Sequence, residues 1–262
     1  MPMQEAEDFR AESEALHAAL AAIDPDRFAE ATQFKGWTVN QVLRHLKFWN
    51  AMAILQIEDE AKLLATLEAV KEDPSLRAFE DERDESTGAR LLEVWRKGAH
   101  DAADAFAEVD PRRRLKWAGP EMSARSSMTA RLMETWAHGQ EIFDRFGLAR
   151  EETDRIKGIC FLGVQTYRFA FANRGETPPD PPPYVSLAAP SGDVWAWGDP
   201  ASPSRVEGPA VAFAQVVAQT RNVADTELRA VGEAAERWMA IAQCFAGGPN
   251  DPPPPGSRFR RG

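Results

Sequence analysis

The chain has almost no cysteine. Cys160 and Cys244 are the only two in 262 residues, and they lack the close spacing of a metal-binding or redox pair. This excludes a disulfide scaffold and a cysteine-built zinc site, and it predicts reduced thiols in a cytoplasmic protein. Basic charge is also scarce: 41 acidic residues against 31 basic ones give a formal net charge of −10. Such a surface repels a phosphate backbone, so nucleic acid is not an expected partner. Long apolar runs are absent as well. The uncharged stretch from Gly208 to Thr220 falls well short of the ~20 apolar residues of a spanning helix. No membrane association is expected. The opening MPMQEAEDFRAESEALHAAL carries acids from Glu5 onward and no apolar h-region, so neither a secretory nor a mitochondrial signal is predicted.

What is present is a composition of 44% hydrophobic and 27% charged residues, enough apolar material for a sizeable core in a soluble protein. The length suits two unequal domains. Helical periodicity dominates the first two-thirds. Phe9, Leu16 and Leu20 share one side of a helix over Glu5 to Ala22, stopped by Asp24-Pro25. After Gly36-Trp37, the run Thr38-Val39-Asn40-Gln41 has the T-x-x-Q form of a capping box and starts a second helix. Its apolar positions Val42, Leu46, Trp49, Ala53 and Leu55 lead into a more charged stretch that ends near Glu72-Asp73-Pro74, with a kink or break on the way. A third helix is predicted from about Thr87 to Val109. A fourth begins between Met122 and Thr129 and ends at Gly147, a C′ glycine. A further helical run covers Thr153 to Ala172.

Prolines 178, 179, 181, 182 and 183 then break any helix and mark a domain boundary, giving a helix bundle over 1–175. A small α+β domain is expected over 184–247. Tyr184 to Leu187 and Val194 to Trp197 form a hairpin around Pro190-Ser191-Gly192-Asp193, a short strand lies near Arg205 to Glu207, and helices run from Pro209 to Ala218 and from Glu233 to Phe245. The proline- and glycine-rich tail 248–262 reads as disordered.

Glu134 and His138 stand four apart in ARLMETWAHGQEIFD, so they share one face of a helix and can chelate one ion. His45, in VLRHLKFWN, is the histidine embedded in an apolar helix face and is the candidate third ligand. Imidazole and carboxylate donors suit zinc first, with nickel, iron or manganese also served, and three protein ligands leave open positions. From spacing alone the plainer reading is the stronger: an intrahelical Glu134–His138 pair and a hydrogen-bonded core His45. His17 and His100 lie in polar helical contexts and are left out of the site. Arg125, just ahead of the Glu134 helix, is a candidate catalytic residue that clamps a substrate carboxylate, or else a structural arginine tying down the loop Trp117 to Met122. The Arg112-Arg113-Arg114 run reads as a solvated loop. Trp136 lies between the two candidate ligands and faces the packing side.

Taken together, GWTVNQVLRHLKFWN and MTARLMETWAHGQEIFD resemble the DinB-like metalloprotein superfamily and, within it, the mycothiol-dependent maleylpyruvate isomerase branch. The matching positions are Gly36, Trp37, Thr38, His45, Glu134 and His138. The resemblance implies a mainly α fold, with an antiparallel four-helix bundle followed by a small α+β domain. It also implies a divalent metal on His45, Glu134 and His138, and a low-molecular-weight thiol as co-substrate. The activity it implies is thiol-dependent isomerase or S-transferase chemistry on a small molecule. Two alternatives stay open: a non-catalytic metal-binding protein, and a hydratase or hydrolase using metal-activated water. A homodimer is also left open. Relatives of this kind carry histidines just after the bundle where this chain has Gly158 and Phe161, so any role of those histidines is missing here.

Overall fold

A computed structural model describes residues 2–73 and 75–260. The chain forms two compact units, Met1–Arg145 and Phe146–Gly262. The first unit is built on four long helices: α1 Gln4–Ala21, α2 Val39–Glu58, α5 Gly88–Ala107 and α6 Ala124–Phe146. Between α2 and α5 lie two shorter ones, α3 Glu60–Glu72 and α4 Leu76–Asp81. A two-residue antiparallel pair, β1 Arg114–Leu115 and β2 Met122–Ser123, precedes α6.

The helices α1, α2 and α5 bury the apolar stripes that their sequences mark, whereas α6 is buried over most of its surface, including Arg131, Glu141 and Asp144. In α5 the buried residues Leu91, Leu92, Trp95, Ala99, Ala102, Ala103 and Phe106 recur at helical spacing. The helix α5 packs against α1 and α2, whose buried residues include Phe9, Leu16 and Leu20 of α1 and Val42, Leu43 and Leu46 of α2. The capping box of α2 forms as predicted. Thr38 Oγ1 accepts from the Gln41 backbone N–H at 3.2 Å, and Gln41 Oε1 accepts from the Thr38 N–H at 3.0 Å. The predicted break after α2 falls at Asp59, which ends one helix and caps the next by accepting from the Lys62 N–H. The helix α4 lies between the expected end of the second helix near Glu72-Asp73-Pro74 and the third helix at Thr87, where no element was expected. Ser75 caps it, with Oγ accepting from the Ala78 N–H. Pro74 of the expected helix end lies outside the described residues.

The second unit contains α7 Lys157–Gln165, α8 Tyr167–Ala172, β3 Tyr184–Ala188, β4 Val194–Trp197, β5 Arg205–Pro209, α9 Ala210–Val217, β6 Arg229–Val231 and α10 Glu233–Ile241. The strands form one mixed sheet in the order β4-β3-β5-β6. The predicted β3–β4 hairpin is antiparallel, and β3 runs parallel to β5. Gly163 lets α7 approach α9 closely: a Cβ there would sit 2.8 Å from Val217 Cγ2 and 2.9 Å from Phe213 Cε1. Cys160 and Cys244 are both buried and unbonded to each other.

Two boundary expectations need correction. The unit boundary falls at Arg145/Phe146, well ahead of the proline segment, because α7 and α8 pack on α9 and α10. Prolines stop a helix, but they do not decide which core the helix before them joins. The tail from 248 is not a free end through residue 260. The Gln219 amide donates to Asn250 O at 2.9 Å, Gln243 Oε1 accepts from the Asn250 N–H at 3.0 Å, Asn222 Nδ2 donates to Pro253 O at 2.8 Å, and Arg258 Nη1 donates to Gln219 O at 2.9 Å. Proline carbonyls need only donors, and amide side chains far back in the chain supply them. Residues 261–262 lie outside the described residues.

Candidate metal centre

The capping box sets where α2 starts, and His45 follows within its second turn. On α6, Arg131, Glu134 and His138 succeed one another at helical spacing and form one edge facing α2. His45, Glu134 and His138 each offer one donor atom, and all three atoms lie within 4.8 Å of one another. Glu134 Oε2 is 3.5 Å from His138 Nε2 and 3.8 Å from His45 Nε2, and the two imidazole centroids are 4.9 Å apart. Both histidines are nearly buried, while the Glu134 side chain keeps 28% exposure. Solvent reaches the cluster on that carboxylate's side.

The other nitrogen of His45 is also engaged. Its Nδ1 lies 2.8 Å from Glu80 Oε1, and the Glu80 side chain is wholly buried on α4. Trp49 Nε1 donates to the same oxygen at 3.1 Å, and Arg77 Nη2 donates to Glu80 Oε2 at 2.7 Å. Aromatic rings enclose the other side. Trp37 stacks parallel to His138 with 5.9 Å between centroids, Phe34 meets His138 edge-on at 5.0 Å, and the Arg77 guanidinium lies 4.5 Å over Trp37.

A buried arginine on α6 also borders the cluster. Arg131 is buried, donating from Nε to Asn50 Oδ1 at 3.1 Å and from Nη2 to Leu46 O at 3.4 Å, and burial lowers its pKa to about 10. Electrostatics separates the three candidate ligands. Burial opposes ionisation of Glu134, but the close imidazoles of His138 and His45 prevail and hold the carboxyl well below the usual carboxylate range. Burial works against the charged form of His45 too, yet Glu134 and Glu80 together raise its pKa. His138 goes the other way: burial lowers its pKa, helped by the positive charge of His45 and Arg131, and Glu134 only partly compensates.

This donor set fits a divalent ion chemically. Metal–imidazole and metal–carboxylate bonds of about 2.0–2.2 Å need donors a few ångströms apart, an ionised carboxylate and unprotonated ring nitrogens. Two Nε2 atoms and one carboxylate oxygen converge here, and a carboxylate takes the remote nitrogen of one imidazole, as metal-ligating histidines commonly require.

Over residues 9–143 the sequence matches the profile described as the mycothiol maleylpyruvate isomerase N-terminal domain. The chain belongs to this family. Two curated relatives of this family member, uncharacterized proteins MT0041 and Rv0036c, come from Mycobacterium tuberculosis strains CDC 1551 / Oshkosh and ATCC 25618 / H37Rv. Each is 40% identical over 246 residues, covering 92% of this chain and 95% of the relative. Among solved structures, that of the mycothiol-dependent maleylpyruvate isomerase superposes with a TM-score of 0.55 at 15% identity, over 87% of this chain and 91% of that one. A histidine-to-alanine mutant of that isomerase gives 0.53 at 16% identity, over 81% and 87%. At such identities the likeness establishes the mainly α fold with its small C-terminal unit.

The structure brings together three of the four residues expected in the site. Arg125 is not among them. It stands nine residues before Glu134 on the same helix, about 13.5 Å along the axis at ~1.5 Å per residue. Its side chain is 60% exposed and pairs with Glu5 of α1 at 3.1 Å. That placement sets Arg125 apart from the three candidate ligands, in a pair with α1 and not on the loop Trp117 to Met122. His17 and His100 lie away from the cluster, paired with Glu93 and Glu14 between α1 and α5. Sequence reasoning missed Arg131 and Glu80. Arg131 was readable in principle as the residue one turn before Glu134, whereas Glu80 carried no signal within its charged run.

Proposed function

We propose that the chain binds one divalent metal ion, zinc first among the suited ions, through His45, Glu134 and His138. On this reading it uses a low-molecular-weight thiol to act on a small electrophilic substrate in the cytoplasm, as an isomerase or an S-transferase. The observation that carries the reading is the convergence of His45 Nε2, His138 Nε2 and Glu134 Oε2 within 4.8 Å in a nearly buried, aromatic-walled site. Family membership supports the thiol, because the solved relative is named a mycothiol-dependent maleylpyruvate isomerase.

A divalent ion held there supplies a Lewis acid that lowers the pKa of a thiol toward the nucleophilic thiolate. The protein's own groups prepare the site for it. Glu134 stays ionised and His138 stays neutral, so two of three donors are ready without losing a proton. Trp37, Phe34 and Trp49 exclude water from the imidazoles. Arg131 adds fixed positive charge that favours an anionic thiol or substrate. A thiolate that adds to one carbon of a double bond moves its electron pair to the neighbouring carbon. After rotation about the resulting single bond, expulsion of the same thiolate restores the double bond with changed geometry. Addition followed by protonation leaves the S-conjugate instead.

Elemental analysis of the purified protein tests the metal, and calorimetric titration with a low-molecular-weight thiol tests the co-substrate. His45→Ala and Glu134→Ala are each expected to abolish metal content. Wild-type protein purified without chelators and still free of stoichiometric metal would overturn the reading.

A further inference from the structure

We infer that Glu80, on the short helix α4, is the positioning residue of the metal centre. It fixes His45 in the Nδ1–H tautomer so that the Nε2 lone pair faces Glu134 and His138. The inference rests on the metal-binding reading for its consequence but on geometry for its substance. A neutral imidazole carries one N–H, and a carboxylate can only accept. With Glu80 Oε1 at 2.8 Å from Nδ1, the proton belongs on Nδ1 and the lone pair on Nε2, the nitrogen 3.8 Å from Glu134.

The carboxylate is itself held on both oxygens. Oε1 also takes the Trp49 indole N–H, one helical turn after His45, and Oε2 takes the Arg77 guanidinium. Arg77 Nη2, 2.7 Å from Oε2, pairs with the buried carboxylate, so Glu80 is not left in the interior without a partner. The helix that presents it is tied to the same turns of α2 that carry the ligand. Arg77 Nη1 donates to Gln41 O at 2.9 Å, Gln41 Nε2 donates to Asp81 Oδ2 at 3.1 Å, and Arg44 Nη1 donates to Asp81 Oδ1 at 2.9 Å. Glu80 sits on the far side of the His45 ring from the converging donors, so it is no fourth ligand. A carboxylate at this position raises the basicity of the ligating nitrogen and removes one ring orientation.

The test uses the full chain with Glu80→Ala and the isosteric Glu80→Gln, and with Glu93→Gln as a control on the His17 pair. Nitrogen-15 spectra of the metal-free protein, at a pH where imidazoles are neutral, report the His45 tautomer. Zinc affinity follows from competition with a chromophoric chelator. The wild type should show His45 as Nδ1–H. Glu80→Ala should lose that signature and bind zinc about 10- to 100-fold more weakly, the usual cost of removing such a partner. Glu80→Gln should fold and lose less, since its amide oxygen can still accept while its amide nitrogen competes. The control should change neither readout. An unchanged tautomer, or unchanged zinc affinity in both Glu80 variants, would overturn the inference. If the wild type takes up no zinc while the tautomer still moves with Glu80, the metal reading fails and the positioning of His45 stands.

Discussion

At the scale of single residues, the protein illustrates how one carboxylate can be worth more or less than its charge. Glu14 of α1 accepts from Arg96 at 2.7 and 2.8 Å and lies 2.6 Å from His100 Nε2, and these partners bring its pKa down to about 2. A depressed folded-state pKa stabilises above the unfolded value of 4.5 and is lost as pH falls toward 2. Glu14→Gln should therefore flatten the pH dependence of stability between pH 4.5 and about 2 and leave the slope near neutral pH as it is, as read from denaturant midpoints across the range. Because both partners are more than a third exposed, solvent screens the pair and the effect should weaken with added salt. Glu80 is the opposite case: wholly buried, hydrogen-bonded on both oxygens and placed against the His45 imidazole.

At the scale of elements, the start of α2 and the approach of α7 to α9 are the joints on which packing depends. Thr38→Ala removes an orphan-donor partner from the N-terminus of α2 and should cost about 0.5–2 kcal/mol in a denaturant titration. Metal stoichiometry should be kept, since His45 lies beyond the first turn. In the second unit, Gly163→Val forces side-chain atoms into Val217 and Phe213, both essentially buried, and should destabilise by about 1–3 kcal/mol. Its metal content should equal that of the wild type, because all three candidate ligands belong to the first unit. A loss of metal in this variant, measured by elemental analysis, would contradict that separation.

At the scale of the whole molecule, the proposed metal binding couples to folding stability. A ligand that binds only the folded chain stabilises it by about 2.7 kcal/mol at one hundred times its Kd. Thermal unfolding should accordingly move to higher temperature on adding zinc and return on adding a chelator. His45→Ala should show no such shift. No helix among the described residues is long and apolar enough to cross a membrane, and the net charge of −10 leaves a predominantly acidic exterior. A neutral or cationic thiol would meet no general repulsion there. An anionic substrate would depend on local positive charge such as Arg131.

The sequence by itself determined the periodic elements and the candidate ligand pair. Apolar spacing marked α1, α2 and α5, Gly147 marked where α6 ends, the Thr38–Gln41 box marked where α2 begins, and the four-residue step from Glu134 to His138 put both on one face. Those features are local, fixed by the helical repeat and the orphan groups at helix ends. Tertiary structure alone decided the rest. It carried His45 across to α6, placed α7 and α8 in the second unit, and bound the proline tail to Gln219 and Gln243. It also folded a run of surface-like charges so that Glu80 lies buried on His45 while its neighbour Asp81 keeps to Arg44. Burial is a property of what packs against a residue, and a charged side chain's sequence neighbours do not encode which partner will take it out of water.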